Sequence, residues 1–125
     1  MNILNRIFCR TYQKAFWLVY PLLPYREPTM IEDGIKGIPE LLRKENKYRP
    51  LIITDSTIYK LGIADKIFDE LKKNRISYST YTNVVPNPTS ENVEESVRIY
   101  NRDRCDAIIG FGGGSSMDTA KAVGA

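Results

Sequence analysis

Apolar residues recur along the chain in two rhythms, and the rhythm changes near residue 31. Before that point Ile3, Ile7, Phe8, Tyr12, Phe16 and Val19 fall three and four apart. This spacing predicts a helix over residues 3–20, with Arg6, Arg10 and Lys14 on its other side. Such a helix either docks on the rest of a larger protein or lies on a membrane surface, and the pattern leaves both open. Pro21, Pro24 and Pro28 then end helical structure, because each lacks a backbone donor and restricts its predecessor.

From Ile31 onward strands alternate with helices. Ile38, Leu41 and Leu42 predict a short amphipathic helix over Gly37 to Glu45, and Leu51 to Thr54 predict a buried strand ending at Asp55. Ile63, Ile67, Phe68 and Leu71 form the apolar stripe of a second helix, with Lys66, Glu70 and Lys73 on its outer face. A strand is predicted over Ile76 to Tyr81, followed by a loop forced by Pro86 and Pro88. Thr89 or Ser90 is placed to cap the next helix, with Glu91 in its first turn and Val93, Val97 and Tyr100 inward. Ala107 to Phe111 read as a third strand, and the glycines after it lead into a helix beginning near Ser116.

Strands and helices in strict alternation predict an α/β fold with a doubly wound parallel sheet. Ligands of such sheets bind beyond the carboxyl ends of the strands, where Asp55, Asn87 and the glycine run all fall. The sequence stops at Ala125, about two turns into the last predicted helix, so a domain truncated at its C-terminal end is expected. The predicted organisation is an N-terminal helical extension over 1–24 and an α/β domain over 25–125.

Composition narrows the classes: 42% hydrophobic and 26% charged residues exclude disordered and collagen-like chains. The net charge of +3 forms no broad basic stripe, so no nucleic-acid partner is implied. Cys9 and Cys105 lie far apart without a CxxC spacing, which fits a reducing, cytoplasmic setting and inert thiols. The apolar run Ala15 to Leu23 is too short to span a bilayer and contains Pro21, so neither a membrane anchor nor a cleaved leader is expected. The sequence holds no histidine, and any imidazole base or histidine metal ligand must come from elsewhere.

The strongest chemical signal is Gly110-Phe111-Gly112-Gly113-Gly114-Ser115-Ser116-Met117-Asp118. Glycines let the backbone turn sharply and approach a ligand, while a helix start offers free N–H groups and a positive dipole end to phosphate. The run departs from GxGxxG, because Ser115 stands at the third glycine position. Asp55 at a strand end can cap the turn after Thr54, a role that does not exclude contact with a ligand. Asn87 between prolines is either a turn residue or a cofactor contact, Asp118 either steadies the loop or touches the cofactor, and Lys121 either faces phosphate or is solvated.

GGGSSMDTAK resembles the GGGSxxDxAK signature of iron-containing (group III) alcohol dehydrogenases. Thr54-Asp55, the loop Val84 to Thr89, and Cys105 to Ile109 support the resemblance in the same order, from about Tyr25 to the end. It implies the N-terminal part of a two-domain NAD-dependent enzyme interconverting alcohols and aldehydes or ketones, with NADP the less favoured cofactor. The implied domain is Rossmann-like, of the dehydroquinate synthase type, without its helical C-terminal metal domain. By the same resemblance Asp55 sits by the ribose, Asn87 in the cofactor pocket, and Gly112, Gly113, Gly114, Ser115, Ser116, Met117 and Asp118 around the pyrophosphate. The family's Fe2+ or Zn2+ is held by an aspartate and histidines outside this chain, so no catalytic or metal residue is assigned here. A small-molecule alcohol or aldehyde substrate and a homo-oligomeric full-length enzyme follow from the resemblance. The glycerol dehydrogenase and dehydroquinate synthase group, and a nucleotide-binding module without chemistry, are the alternative readings.

Overall fold

Leu51, Ile52, Ile53 and Thr54 are wholly shut off from solvent, and this continuous apolar run forms the centre of the sheet. A strand apolar on both sides must be covered on both faces, which is the condition of a parallel sheet between helices. The computed structural model describes Met30 and residues 32–125, and residues 32–125 belong to one compact unit, Ile31–Ala125. The expected helix over 3–20, the apolar run to Leu23, Cys9 and the boundary at 24/25 lie outside the described residues.

A 3-10 turn at Gly34–Gly37 leads into α1 (Ile38–Lys44), β1 (Pro50–Asp55), a short α2 (Ser56–Lys60) and α3 (Asp65–Lys73). Then follow β2 (Ser79–Val84), α4 (Ser90–Arg102), β3 (Ala107–Gly110) and α5 (Gly114–Gly124). The strands lie in the order β2-β1-β3, and β1 is parallel to both neighbours. One face buries Ile52 with Leu42 of α1 and Ile67, Phe68 and Leu71 of α3, with Ile109 packed alongside. The other buries Leu51, Ile53, Tyr81 and Val84 against Ile99 and Tyr100 of α4 and Ala120 and Val123 of α5. The expected doubly wound α/β sheet is thus present.

Several predicted boundaries move. The second strand is Ser79–Val84, not Ile76 to Tyr81: the ladder with β1 begins at Leu51 opposite Ser79, and Ile76 and Tyr78 pack into the first core instead. Ile63 is 48% exposed in the turn before α3, and buried Ala64 takes its expected place beneath the helix. The inward face of α4 centres on buried Ser96, with Ile99 and Tyr100 packed on the second core; Val93 and Val97 are half-buried, as those two are. Phe111 falls just beyond β3, and α5 begins at Gly114 rather than near Ser116.

Candidate functional site

In the order β2-β1-β3 the chain leaves β1 towards one face, through α2 and α3, and leaves β3 towards the other, through α5. The carboxyl ends of β1 and β3 therefore part, opening a crevice at the point where the winding reverses. A cavity of about 360 Å³ lies there. Its wall is Asp55 to Thr57 after β1, Val84 to Pro86 after β2, and Gly113 to Ser116 at the start of α5. The β1–β2 register shifts between Ile53 and Asp55, an irregularity that re-aims the end of β2 beside the site.

Three glycines of the turn have separate tasks. Gly112 has φ +139°, and a Cβ there would stand 2.9 Å from both the Ile58 Cδ1 and the Ser116 Oγ. Only glycine fits. A Cβ on Gly110 would stand 2.9 Å from the Ala120 Cβ, so α5 rides directly on the end of β3. Around Gly113 and Gly114 nothing lies within 4 Å of such a Cβ, so the backbone there borders open space.

Gly113 caps α5 without any side-chain hydrogen bond, and the first turn contains no acidic residue. The leading N–H groups of the helix are thus left for a ligand. Ser116 is 1% exposed, and its hydroxyl has no hydrogen-bond partner although it lines the cavity. A buried orphan hydroxyl next to free helix amides fits an anionic group such as a pyrophosphate. No Lys or Arg lines the cavity, so the attraction for phosphate rests on backbone donors.

The Asp55 carboxylate accepts the Ile58 N–H at 2.8 Å through Oδ1 and so caps α2. Its Oδ2 stands 3.4 Å from the position of a Cβ on Gly112, facing the glycine turn. Asp55 therefore performs the capping role and still presents one oxygen to the site.

The structure brings together Asp55, Gly113, Gly114, Ser115 and Ser116 in one wall, with Gly112 behind them. Asn87, Met117 and Asp118 do not line it. Asn87 holds a left-handed φ of +55° on the exposed proline loop, as a turn residue does. The Met117 amide donates to Gly113 O at 3.1 Å inside the helix. Asp118 is exposed and, because α5 starts at Gly114, lies past the first turn where a carboxylate would favour the dipole. Lys121 sits about 10 Å along the axis from the helix start, away from any phosphate held there. Val84, Val85 and Pro86, from the loop that supports the family resemblance, line the cavity, and so do Ser56 and Thr57. Only the position of Ser56 and Thr57 after a strand end, where ligands of such sheets bind, marks those two in the sequence.

Among the described residues no three of Cys, Asp and Glu gather in a way that would hold a metal ion. These residues do not fit iron or zinc.

The sequence matches the iron-containing alcohol dehydrogenase family over residues 29–125. The chain belongs to that family. It is 39% identical over 100 residues to the choline dehydrogenase of Bacillus subtilis (strain 168), covering 78% of this chain and 25% of that protein. It is 31% identical over 91 residues to the lactaldehyde reductase of Escherichia coli (strain K12), covering 73% and 24%. The NADH-dependent butanol dehydrogenase A of Thermotoga maritima superposes with a TM-score of 0.70 at 32% identity, covering 81% of this chain and 26% of that one. This member of the iron-containing alcohol dehydrogenase family thus spans about a quarter of the length of those relatives.

Proposed function

We propose that this chain supplies the cofactor-binding part of an NAD-dependent alcohol dehydrogenase acting on small alcohols and aldehydes. The observation that carries the reading is the uncapped start of α5, where Gly113 and Gly114 border open space and the Ser116 hydroxyl is buried without a partner. The amides of Gly114 to Ser116 and the Ser116 hydroxyl would hold the pyrophosphate, and Asp55 Oδ2 would accept a ribose hydroxyl across the turn. Gly112 keeps the two close, because any side chain there would fill the gap between them. Asn87, Met117 and Asp118 enter this reading only as rim and supporting residues, since none lines the cavity.

NAD, when bound, accepts the hydride released from the alcohol carbon. This chain's residues bind and orient it: the helix start takes the phosphate charge, and Val84, Val85 and Pro86 offer an apolar shelf beside it. The metal of the full enzyme is assigned to a part outside the described residues, which hold no cluster that would bind it. No described helix is long and apolar enough to cross a membrane, and a cytoplasmic setting is part of the proposal.

The test is an amide chemical-shift titration of the ¹⁵N-labelled chain with NAD. The reading expects the largest shifts at Gly113, Gly114, Ser115 and Ser116, with a smaller one at the Ile58 amide. Shifts centred instead on the groove of Thr80, Thr82, Glu95 and Arg98 between β2 and α4 would contradict it.

A further inference from the structure

Ile58 touches both halves of the site without lining the cavity. Its amide donates to Asp55 Oδ1 at 2.8 Å, and its Cδ1 lies 2.9 Å from where a Cβ on Gly112 would stand. Asp55 Oδ2 lies 3.4 Å from that same point. The Ile58 side chain is also packed against the core of Leu42, Ile52, Ala64, Ile67 and Phe68. One residue thus ties the rigid interior to the carboxylate on one side and to the glycine turn on the other.

A carboxylate discriminates between NAD and NADP only if it stays where the ribose hydroxyl or the 2′-phosphate will be. Asp55 has one oxygen committed to the cap, so its second oxygen is aimed by the geometry of α2. That helix has only five residues and no buried ones, and nothing in its own length makes it rigid. On its outer side Tyr59 packs edge-on against Phe68, and on the side facing the site it is anchored by the half-buried Ile58 side chain, wedged between the core and Gly112.

We infer that Ile58 is a positioning residue for cofactor discrimination, holding the Asp55 carboxylate at a fixed distance from the glycine turn. The inference rests on the cofactor reading given above. Ile58 touches no cofactor; it acts through Asp55. Loosening it lets Asp55 swing, so NAD loses a hydrogen bond while NADP is relieved of like-charge repulsion. The ratio of the two affinities therefore moves, which a general loss of stability would not produce.

The experiment measures dissociation constants of NAD and NADP for this chain by calorimetric titration, with melting temperatures recorded alongside. The variants are Ile58→Ala, the milder Ile58→Val that deletes only the δ-methyl, Asp55→Gly, and Ile58→Ala combined with Asp55→Gly. Wild type is expected to prefer NAD by about tenfold or more, and Ile58→Ala to cut that preference about threefold or more. Ile58→Val is expected to move the ratio in the same direction by less. In the Asp55→Gly background Ile58→Ala is expected to leave the ratio unchanged, because residues acting through one another are not additive. An unchanged ratio in both Ile58 variants, with Asp55→Gly still abolishing the preference, overturns the role of Ile58 and leaves the cofactor reading standing. An equal loss of both cofactors overturns it likewise. A wild-type chain that binds neither cofactor overturns the cofactor reading itself, and this inference with it.

Discussion

Asp103 joins three segments at the amino-terminal edge of the sheet. It accepts from Arg102 Nε at 2.7 Å and from the Ser79 hydroxyl at 2.7 Å, and its carbonyl accepts from Arg49 at 3.0 Å. The Arg102 guanidinium, helped by the Ser79 hydroxyl, lowers its carboxyl from the ordinary 3.8 to about 2. A group whose folded value is depressed contributes stability that is present above its unfolded value and lost as pH falls towards the folded one. Asp103→Asn is therefore expected to lower the urea midpoint at neutral pH and to flatten its decline between about pH 4 and pH 2. The same acid slope in variant and wild type would show that the pairing contributes nothing. Close by, burial pushes the Cys105 thiol up, in keeping with an inert packing residue, as its lack of a CxxC partner implied. At this scale the sequence was readable where chemistry requires a residue type. Gly112 is an example, since a φ of +139° with neighbours at 2.9 Å admits nothing else. Asp55 stayed ambiguous because capping and ligand binding use different oxygens of one carboxylate, and residue order carries no trace of that division.

Helix ends show the same contrast among elements. Thr89 begins α4, and the Asn92 side-chain oxygen accepts both its N–H, at 3.2 Å, and its hydroxyl, at 3.1 Å. The cap was legible because Thr and Ser next to a proline loop are hydrogen-bonding residues at a forced break. The far ends of α3 and α4 were not: they close on Arg75 and Arg104, with φ of +57° and +53°. Each follows the Schellman pattern, with Ile76 N donating to Leu71 O at 2.9 Å and Cys105 N to Tyr100 O at 2.8 Å. Arginine carries a Cβ into a conformation that glycine adopts freely. Arg75→Gly and Arg104→Gly are each expected to stabilise the fold, by up to about 1 kcal/mol, offset in part by the flexibility glycine adds to the unfolded chain. Thermal denaturation checks this, and a lower midpoint in both would show that the arginine side chains matter more than the strain. The helix α2 escaped the sequence reading because five residues without a buried position leave no periodic stripe. The start of α5 at Gly114 is hidden in the sequence because glycine is a poor helix former, yet it is tolerated where the amides have no intrahelical partner anyway.

For the molecule as a whole, the strand order β2-β1-β3 decides where a ligand binds. The sequence implied alternating strands and helices, and hence a parallel sheet, but periodicity does not say on which side of β1 each later strand falls. That choice depends on which face each helix covers, which half-buried residues such as Ile99 and Ala120 settle only once packed. With it settled, Asp55, Val85 and Gly114, far apart in sequence, surround one cavity. The central claim is that the open backbone of the glycine turn is the seat of the cofactor's phosphates. Gly114 isolates it, because a Cβ there meets no atom within 4 Å beyond its own helical turn and so points into the space assigned to the ligand. The decisive measurement is the NAD dissociation constant of this chain and of Gly114→Val, with the melting temperature of each. The site described here predicts one-to-one binding by wild type, a loss of about tenfold or more in Gly114→Val, and a melting temperature changed by no more than a few degrees. Equal affinity in the two proteins, at equal stability, would contradict it.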